Sequence, residues 1–363
     1  MHKIVEMSGT PRERGYRYGE ECGNIIQQLV NAHYAFYDRE IGVSRGKLLN
    51  EANKLINFVE EYSPEIAEEM KGTAEGAGIK YEELLVISGF IEIYYPKIFA
   101  GCTTLAVSGK VTLDGETYIA QNNDEALVPW LKGDCVVLLR IRRKAGPDIL
   151  TYTYAGIPAM MGINSAGIGL CLNALLCEIS TIGVPLLIVT REILNQKTLE
   201  DAIEAVERAK RGNSLNYGVA DSKGRICNIE CTPKTVDCLF EEDPYFVHTN
   251  HFLSKKLGIQ KDIIRNSGVG FGRDSVFRYE RMYKLISERE GRVDLKTIMS
   301  FFRDHENHPD SICRHVNPKD SVSEKAKTWD SMIFVTSQRT AWISRGNPCE
   351  NEYNRYPLAS ARC

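Results

Sequence analysis

Residues 99–105 read Phe99-Ala100-Gly101-Cys102-Thr103-Thr104-Leu105, and the chain changes character across them. Before this stretch the apolar residues fall at helical spacing; after it they form short β runs separated by turn residues. The heptapeptide is therefore the point where a helical part ends and a sheet begins with a cysteine. Upstream, Thr10, Pro11 and Glu13 have the spacing of an N-cap, a first-turn proline and a capping-box acid, which predicts a helix running to about Glu40. Ser63-Pro64 followed by Glu65 repeats the cap-then-proline signal, and Ile66, Met70, Ala74 and then Leu84, Ile87, Ile91 continue the helical period. Downstream, strands are predicted at 105–107, 117–121, 135–141, 149–154, 168–172, 217–220, 226–231, 236–240 and 332–335, with helices near 185–194, 199–209, 275–288 and 295–302. Many antiparallel runs interrupted by grouped helices predict an α+β layered fold rather than repeated βαβ units. Residues 1–101 read as a mostly helical N-terminal part and 102–363 as the main part. No linker or repeat separates them, so together they are expected to form one structural domain.

Charge and cysteine usage limit the function classes. The 363 residues carry 45 Lys and Arg against 48 Asp and Glu, a net charge of -3. Such a chain has no general field to hold nucleic acid or an anionic membrane, and neither is expected as a partner. The apolar runs fall short of the roughly 20 residues a membrane span needs. The opening Met1 to Glu6 also lacks the apolar core of a signal peptide, so the cytosol is the expected compartment. Eleven cysteines, an odd count with no C-x-x-C pair, suit a reducing interior better than a disulfide framework.

The Gly101-Cys102 pair is where chemistry is expected. A thiolate is the strongest side-chain nucleophile near neutral pH, and the glycine carbonyl behind Cys102 has no side chain to block attack. Hydrolysis of the resulting thioester would free the α-amine of Cys102, whose ordinary pKa near 8 suits a general base to its own thiol. A buried strand cysteine after a turn glycine is the bland alternative. Three further residues are candidates: Asp124, returned towards Cys102 by a hairpin; Asn250, at a strand end, as a donor to an oxyanion; and Arg314, after a helix, as a partner for a carboxylate. Taken singly they also read as a turn acid, a turn former and a surface base. His248 with His251 and His305 with His308 form H-x-x-H pairs, but no accompanying acid pattern supports a metallohydrolase, so no metal or cofactor is expected. Gly268 to Gly272 lacks a Walker lysine and reads as a flexible loop. Phe90, Tyr94, Tyr95 and Phe99 read first as a buried helix face and otherwise as walls of an acyl pocket. An uncut Cys-His hydrolase using His251 or His315, and a silent binding protein of the same fold, are the competing readings.

Taken in order along the chain, these motifs resemble the acyl-coenzyme A:6-aminopenicillanic-acid acyltransferase family of N-terminal-nucleophile hydrolases. The resemblance runs through Gly9-Thr10-Pro11, Gly15-Tyr16, Gly19, Gly101-Cys102-Thr103-Thr104, Gln121-Asn122 with Asp124, Ala155-Gly156-Ile157, Asn164 to Gly167, Asn173-Ala174-Leu175, His248 to His251 and Ser311 to Arg314. It implies a four-layer αββα fold and a precursor that cuts itself between Gly101 and Cys102 into a small and a large chain. By the same resemblance Cys102 is the nucleophile, Asp124 the supporting acid, Asn250 the oxyanion-site residue and Arg314 the positioning base. A small-molecule linear amide or acyl thioester is the implied substrate, with a homo-oligomer left open. Two positions depart from the family pattern: Ala100 stands where an acid precedes the glycine, and Asn123 where a Trp is found.

Overall fold

Lys3–Met7 (β1) pairs in parallel with Val136–Ile141 (β4), so the N-terminal part is stitched into a sheet built mainly from later residues. This computed structural model describes residues 1–94, 99–127, 135–176, 180–240, 243–257, 274–321 and 324–359. From β1 the chain passes into helices Pro11–Phe36 (α1), Arg45–Tyr62 (α2), Pro64–Gly76 (α3), Tyr81–Ser88 (α4) and Phe90–Tyr94 (α5). Strands Phe99–Val107 (β2) and Tyr118–Ala126 (β3) follow, then β4, Ile149–Tyr154 (β5), Met161–Asn164 (β6) and Gly169–Ala174 (β7). After helices Leu186–Leu194 (α6) and Leu199–Glu207 (α7) come Leu215–Ala220 (β8), Ile226–Cys231 (β9), Val236–Leu239 (β10) and Tyr245–His248 (β11). Helices Ser275–Ser287 (α8) and Leu295–Phe302 (α9) precede the last strands, Ala326–Val335 (β12), Thr340–Arg345 (β13) and Tyr353–Pro357 (β14).

The strands form two sheets, ordered β1-β4-β5-β6-β7-β8-β9-β10 and β11-β2-β3-β12-β13-β14. They face each other through β2 and β3 against β7 and β8. Helices α6 and α7 lie on the larger sheet, with α1 to α4 packed among themselves and α3 against α6; α8 and α9 lie on the smaller. The order of layers is thus α, β, β, α, and the α+β expectation holds.

Period-two alternation fills both gaps of the smaller sheet. In β2, Leu105 and Val107 join Met282, Ile286, Ile298 and Phe302 beneath α8 and α9, whereas Ala106 between them joins the core of the larger sheet. Ile333 and Val335 of β12 likewise face the helices, and Met332 and Phe334 face the other sheet. Strands buried on both faces read as continuous apolar runs, which is why these runs were legible.

Some local expectations change. Thr10 and Glu13 do form the capping box. The first helix ends at Phe36 and passes into a π-helical turn, Tyr37–Ile41, closed by Gly42 at φ 71°. Ser63 makes no side-chain cap; its hydroxyl donates to Glu192 Oε2 at 3.0 Å instead. Tertiary pairing outcompetes the local bond there. Strands β1, β6, β13 and β14 are short or follow turns without strong punctuation, and no run was read at those places.

The glycines of the first motif have a packing reason. A Cβ on Gly15 or Gly19 of α1 would overlap the backbone of Glu69 or Thr73, and one on Gly72 or Gly76 of α3 would overlap that of Arg12 or Tyr16. The two helices therefore meet backbone to backbone. Gly19→Ala is expected to destabilise the chain by about 1–3 kcal/mol, whereas Gly46→Ala, with nothing within 4 Å of the new methyl, should be neutral or gain up to about 1 kcal/mol. Thermal melts of the two variants against wild type check this; equal melting temperatures for Gly19→Ala and wild type would contradict the close contact.

Candidate active site

Strands β2 and β3 form an antiparallel pair whose register sets Gly101 opposite Asp124 and Cys102 opposite Asn123. On the other side of β2, β11 pairs His248 with Thr104, so residues 249 and 250 run off that strand beside Cys102. There Asn250 Oδ1 accepts the backbone N–H of Cys102 at 2.9 Å. The stretch carrying Asn250 is held by one buried carboxylate, Glu230 of β9. It accepts from Leu253 N at 2.6 Å and Ser254 N at 3.0 Å, and lies 2.9 Å from His248 Nε2. Asn250 N donates to Ser275 Oγ at 2.8 Å, which ties the same stretch to the first residue of α8.

Beneath Cys102 lies a network of buried charges. Arg278 of α8 donates through Nη1 to Cys102 O at 2.5 Å and Thr103 Oγ1 at 2.9 Å, and through Nη2 to Asn250 Oδ1 at 2.8 Å and Asp274 Oδ1 at 3.4 Å. The other oxygen of Asp274 pairs with Arg314 Nη2. Arg314 also reaches Asp124 Oδ2 through Nε at 3.5 Å and Asp310 Oδ1 through Nη1 at 3.2 Å. Thr328 of β12 joins the ends, donating to Asp124 Oδ1 at 2.7 Å and accepting from Arg314 N at 2.9 Å.

Gly101 has φ +151°, and a Cβ there would lie 3.0 Å from Arg278 Nη2 and 3.3 Å from Asn250 Oδ1. Only glycine takes that conformation in that space without strain. The thiol of Cys102 approaches Asn123 Oδ1 at 3.9 Å, and Asn123 in turn donates to Tyr154 Oη at 3.1 Å. Burial, then the carboxylates of Asp124 and Glu125, push the Cys102 thiol well above its ordinary value, so it is protonated at neutral pH in the uncut chain. Burial also raises Asp124 to about 6, against the pull of Arg314 and Arg278, and Glu125 to about 7.

A cavity of about 40 Å³ opens beside Cys102, bounded by Phe90, Ile91, Met160, Met161, Leu172 and Leu187, with Gln121, Asn123, Asp124 and Glu125 supplying polar groups. That volume accepts little more than water.

Cys102, Asp124, Asn250 and Arg314 are thus brought together. Asn250 differs in one respect from the expected oxyanion donor: it presents an acceptor to Cys102, while its Nδ2 donates to Ala174 O at 3.2 Å. Two donors, Cys102 N–H and Arg278, converge on Oδ1, which fixes the amide this way round. His251 turns to Ser275 Oγ at 2.8 Å, and His315 gathers with Cys313 and Cys349. Neither contact serves a Cys-His pair with Cys102. Tyr95 and Gly268 to Gly272 lie outside the described residues, as do the side chains of Tyr94 and Phe99. Asp274, Arg278, Thr328 and Glu230 went unread. Asp274 and Arg278 stand four apart at a helix start, a visible signal that surface ion pairs share.

The family model described as acyl-coenzyme A:6-aminopenicillanic acid acyl-transferase matches residues 111–350, a stretch holding Asp124, Asn250 and Arg314. The chain is 24% identical over 349 residues to the 40 kDa form of acyl-coenzyme A:6-aminopenicillanic-acid-acyltransferase from Emericella nidulans, covering 95% of this chain and 92% of that one. It is 23% identical over 350 residues to an uncharacterized protein from Archaeoglobus fulgidus, covering 81% of this chain and 56% of that one, so it spans little more than half of that relative. Among solved structures, penicillin V acylase from Agrobacterium tumefaciens is similar with TM-score 0.47 and 11% identity, over 67% of this chain and 82% of that one. A variant of conjugated bile acid hydrolase from Clostridium perfringens has TM-score 0.47 and 13% identity, over 70% and 97%.

The raised value of Asp124 carries a pH prediction. A carboxyl held at about 6 in the folded chain, against an ordinary 3.8, binds its proton more tightly when folded. Its contribution to stability is therefore present at low pH and is lost as pH rises from about 4 to about 6. A group whose ionised form costs stability is better explained by function than by folding. Turnover should fall as pH drops through about 6 and Asp124 loses its charge. In Asp124→Asn the overall rate should be low and that acid limb absent; a limb near 6 persisting in the variant would assign it to another group.

Proposed function

The chain belongs to the acyl-coenzyme A:6-aminopenicillanic acid acyl-transferase family, and from that premise we propose that it is a self-processing cysteine amidohydrolase and acyltransferase working through an acyl-Cys102 intermediate. The observation that carries this reading is the treatment of one peptide bond. Gly101, without a Cβ and at φ +151°, is followed by a Cys102 N–H held 2.9 Å from Asn250 Oδ1 and a Cys102 carbonyl held by Arg278.

In the first step Cys102 Sγ attacks the Gly101 carbonyl carbon. The thiol proton passes to the departing nitrogen as the C–N bond breaks, leaving a thioester to the 1–101 segment and a free α-amine on Cys102. Water hydrolyses the thioester, giving the Gly101 carboxylate and a free thiol. The α-amine remains beside Asn250 Oδ1, which orients it as general base to the thiol of the same residue. In turnover the thiolate attacks the substrate carbonyl, the amine passes its proton to the leaving nitrogen, and the acyl group rests on Sγ. An amide nitrogen carries two hydrogens, so Asn250 Nδ2 can serve Ala174 O and the oxyanion together. Asp124 and Arg314 act as positioning residues through Thr328, Asp274 and Arg278.

The apolar cavity walls favour an apolar acyl group. Its small volume in the uncut chain accords with a substrate site that opens on cleavage. A net charge of -3 gives no general attraction to an anionic carrier, so hydrolysis of a small linear amide is placed first and acyl transfer from a thioester second. Supplying an acyl thioester or a small N-acyl amine, with and without a panel of amines, distinguishes them by mass spectrometry of free acid and new amide. Free acid should dominate, with an acyl adduct on Cys102. Asn250→Ala should lower turnover by about 100- to 1000-fold with the fold kept. New amide dominating at submillimolar amine would reverse the order, and neither product from protein already cut at Cys102 would overturn the reading.

A further inference from the structure

Cys313 and His315 flank Arg314, and their side chains point the other way from its guanidinium network, towards His305 after α9 and Cys349 in the turn between β13 and β14. One ligand atom from each of these four residues lies within 4.8 Å of all the others. Four of the edges are His305 Nε2 to His315 Nε2 at 3.1 Å, Cys349 Sγ to His315 Nε2 at 3.4 Å, Cys313 Sγ to Cys349 Sγ at 3.5 Å and Cys313 Sγ to His315 Nε2 at 3.8 Å. A tetrahedral zinc ion with bonds of about 2.3 Å to sulfur and about 2.0–2.1 Å to nitrogen has ligand-to-ligand edges of about 3.3–3.8 Å. Those four edges, 3.1–3.8 Å, fall close to that range, and the other two are no longer than 4.8 Å.

We propose that His305, Cys313, His315 and Cys349 form a structural zinc site of the Cys2His2 type. Four protein ligands complete a tetrahedron and leave no position for substrate water, which separates this site from a catalytic metal centre. The surroundings suit it. Asn347 Nδ2 donates to Cys313 Sγ at 3.5 Å, the N–H to sulfur contact that supports a bound thiolate, and the same amide donates to Arg314 O at 2.7 Å. Glu350 Oε1 stands 3.8 Å from His315 Nδ1, the ring nitrogen turned away from the cluster. Binding displaces one proton from each of the two thiols, while the imidazoles bind neutral, so the ion and the two thiolates balance in charge.

The ligand pattern explains why the sequence hid the site. His305-x-x-His308 is the spacing the sequence displays, but its second histidine is only a neighbour, its ring centre 5.8 Å from that of His305 and 5.1 Å from that of His315. The four proposed ligands come from two loops separated by β12 and β13. The consequence for the active site is mechanical: a metal ion bridging those loops clamps the backbone on both sides of Arg314, whose side chain positions Asp124 and Asp274.

The test uses the reduced full-length protein and zinc alone. Elemental analysis after growth with added zinc should find about one ion per chain, and cobalt substituted for it should give a thiolate-to-metal charge-transfer band. Cys349→Ser and His305→Ala, at exposed positions that should fold normally, should each lose most of that zinc, whereas His308→Ala should keep it. Chelation should lower the melting temperature of wild type and leave Cys349→Ser unmoved. Reduced wild type holding no more zinc than Cys349→Ser, or a cobalt form lacking the thiolate band, would overturn the proposal. Because metal content is read without any assay of turnover, failure here would not bear on the acyl-Cys102 mechanism.

Discussion

Two buried guanidinium groups sharing one carboxylate govern the geometry around Cys102. Arg278 and Arg314 are 0% and 3% exposed, and both bond to Asp274. Charges so far from water must be paired, and removing one partner of such a pair costs about 3–5 kcal/mol. The pairing therefore has little freedom. It draws three separate stretches to one point: the β2 and β3 hairpin with Cys102 and Asp124, the start of α8 with Asp274 and Arg278, and the loop that carries Arg314. Asn250 comes in on a fourth, secured by Glu230, and completes the enclosure of the Gly101 to Cys102 peptide bond.

The same burial that fixes the geometry quietens the Cys102 thiol. Surrounded by apolar groups and faced by Asp124 and Glu125, the thiol keeps its proton in the uncut chain. The proposed cleavage would change the chemistry at this point, because a neutral peptide N–H becomes an amine where Asn250 Oδ1 already accepts from it. On the proposed cleavage, the acceptor that holds the Cys102 N–H would then hold the new amine. The Ala100 and Asn123 departures fall on either side of this bond, one before the glycine and one opposite the cysteine in the register. Asn123 and Glu125, which both line the cavity, are joined to each other and to Tyr154 Oη by hydrogen bonds.

What could be read from sequence was what local physics decides. The capping box at Thr10, the change from helix to strand near Cys102 and the doubly buried strands each follow from spacing or from apolar runs, although the strand opens at Phe99 and holds Cys102 inside it rather than at its start. The return of Asp124 to Cys102 followed from a hairpin and the intervening turn residues. What could not be read was carried by tertiary pairing. Ser63 abandons its cap for Glu192, β1 joins a sheet more than a hundred residues away, and Glu230 holds a loop through backbone N–H groups that no motif marks. Asp274 and Arg278 resemble any helical ion pair until Cys102 O and Asn250 Oδ1 are seen beside them. Arg314 was expected to meet a carboxylate, and it meets three.

Whether the bond between Gly101 and Cys102 is cut decides the proposed mechanism, and the intact mass and N-terminal sequence of purified wild-type and Cys102→Ala protein test it most directly. Scaling 40.9 kDa by length, wild type should separate under denaturing conditions into pieces of about 11 and about 30 kDa, the larger beginning Cys102-Thr103-Thr104, while Cys102→Ala stays whole. An uncut wild type with full acyl-transfer or amidase activity would contradict the account.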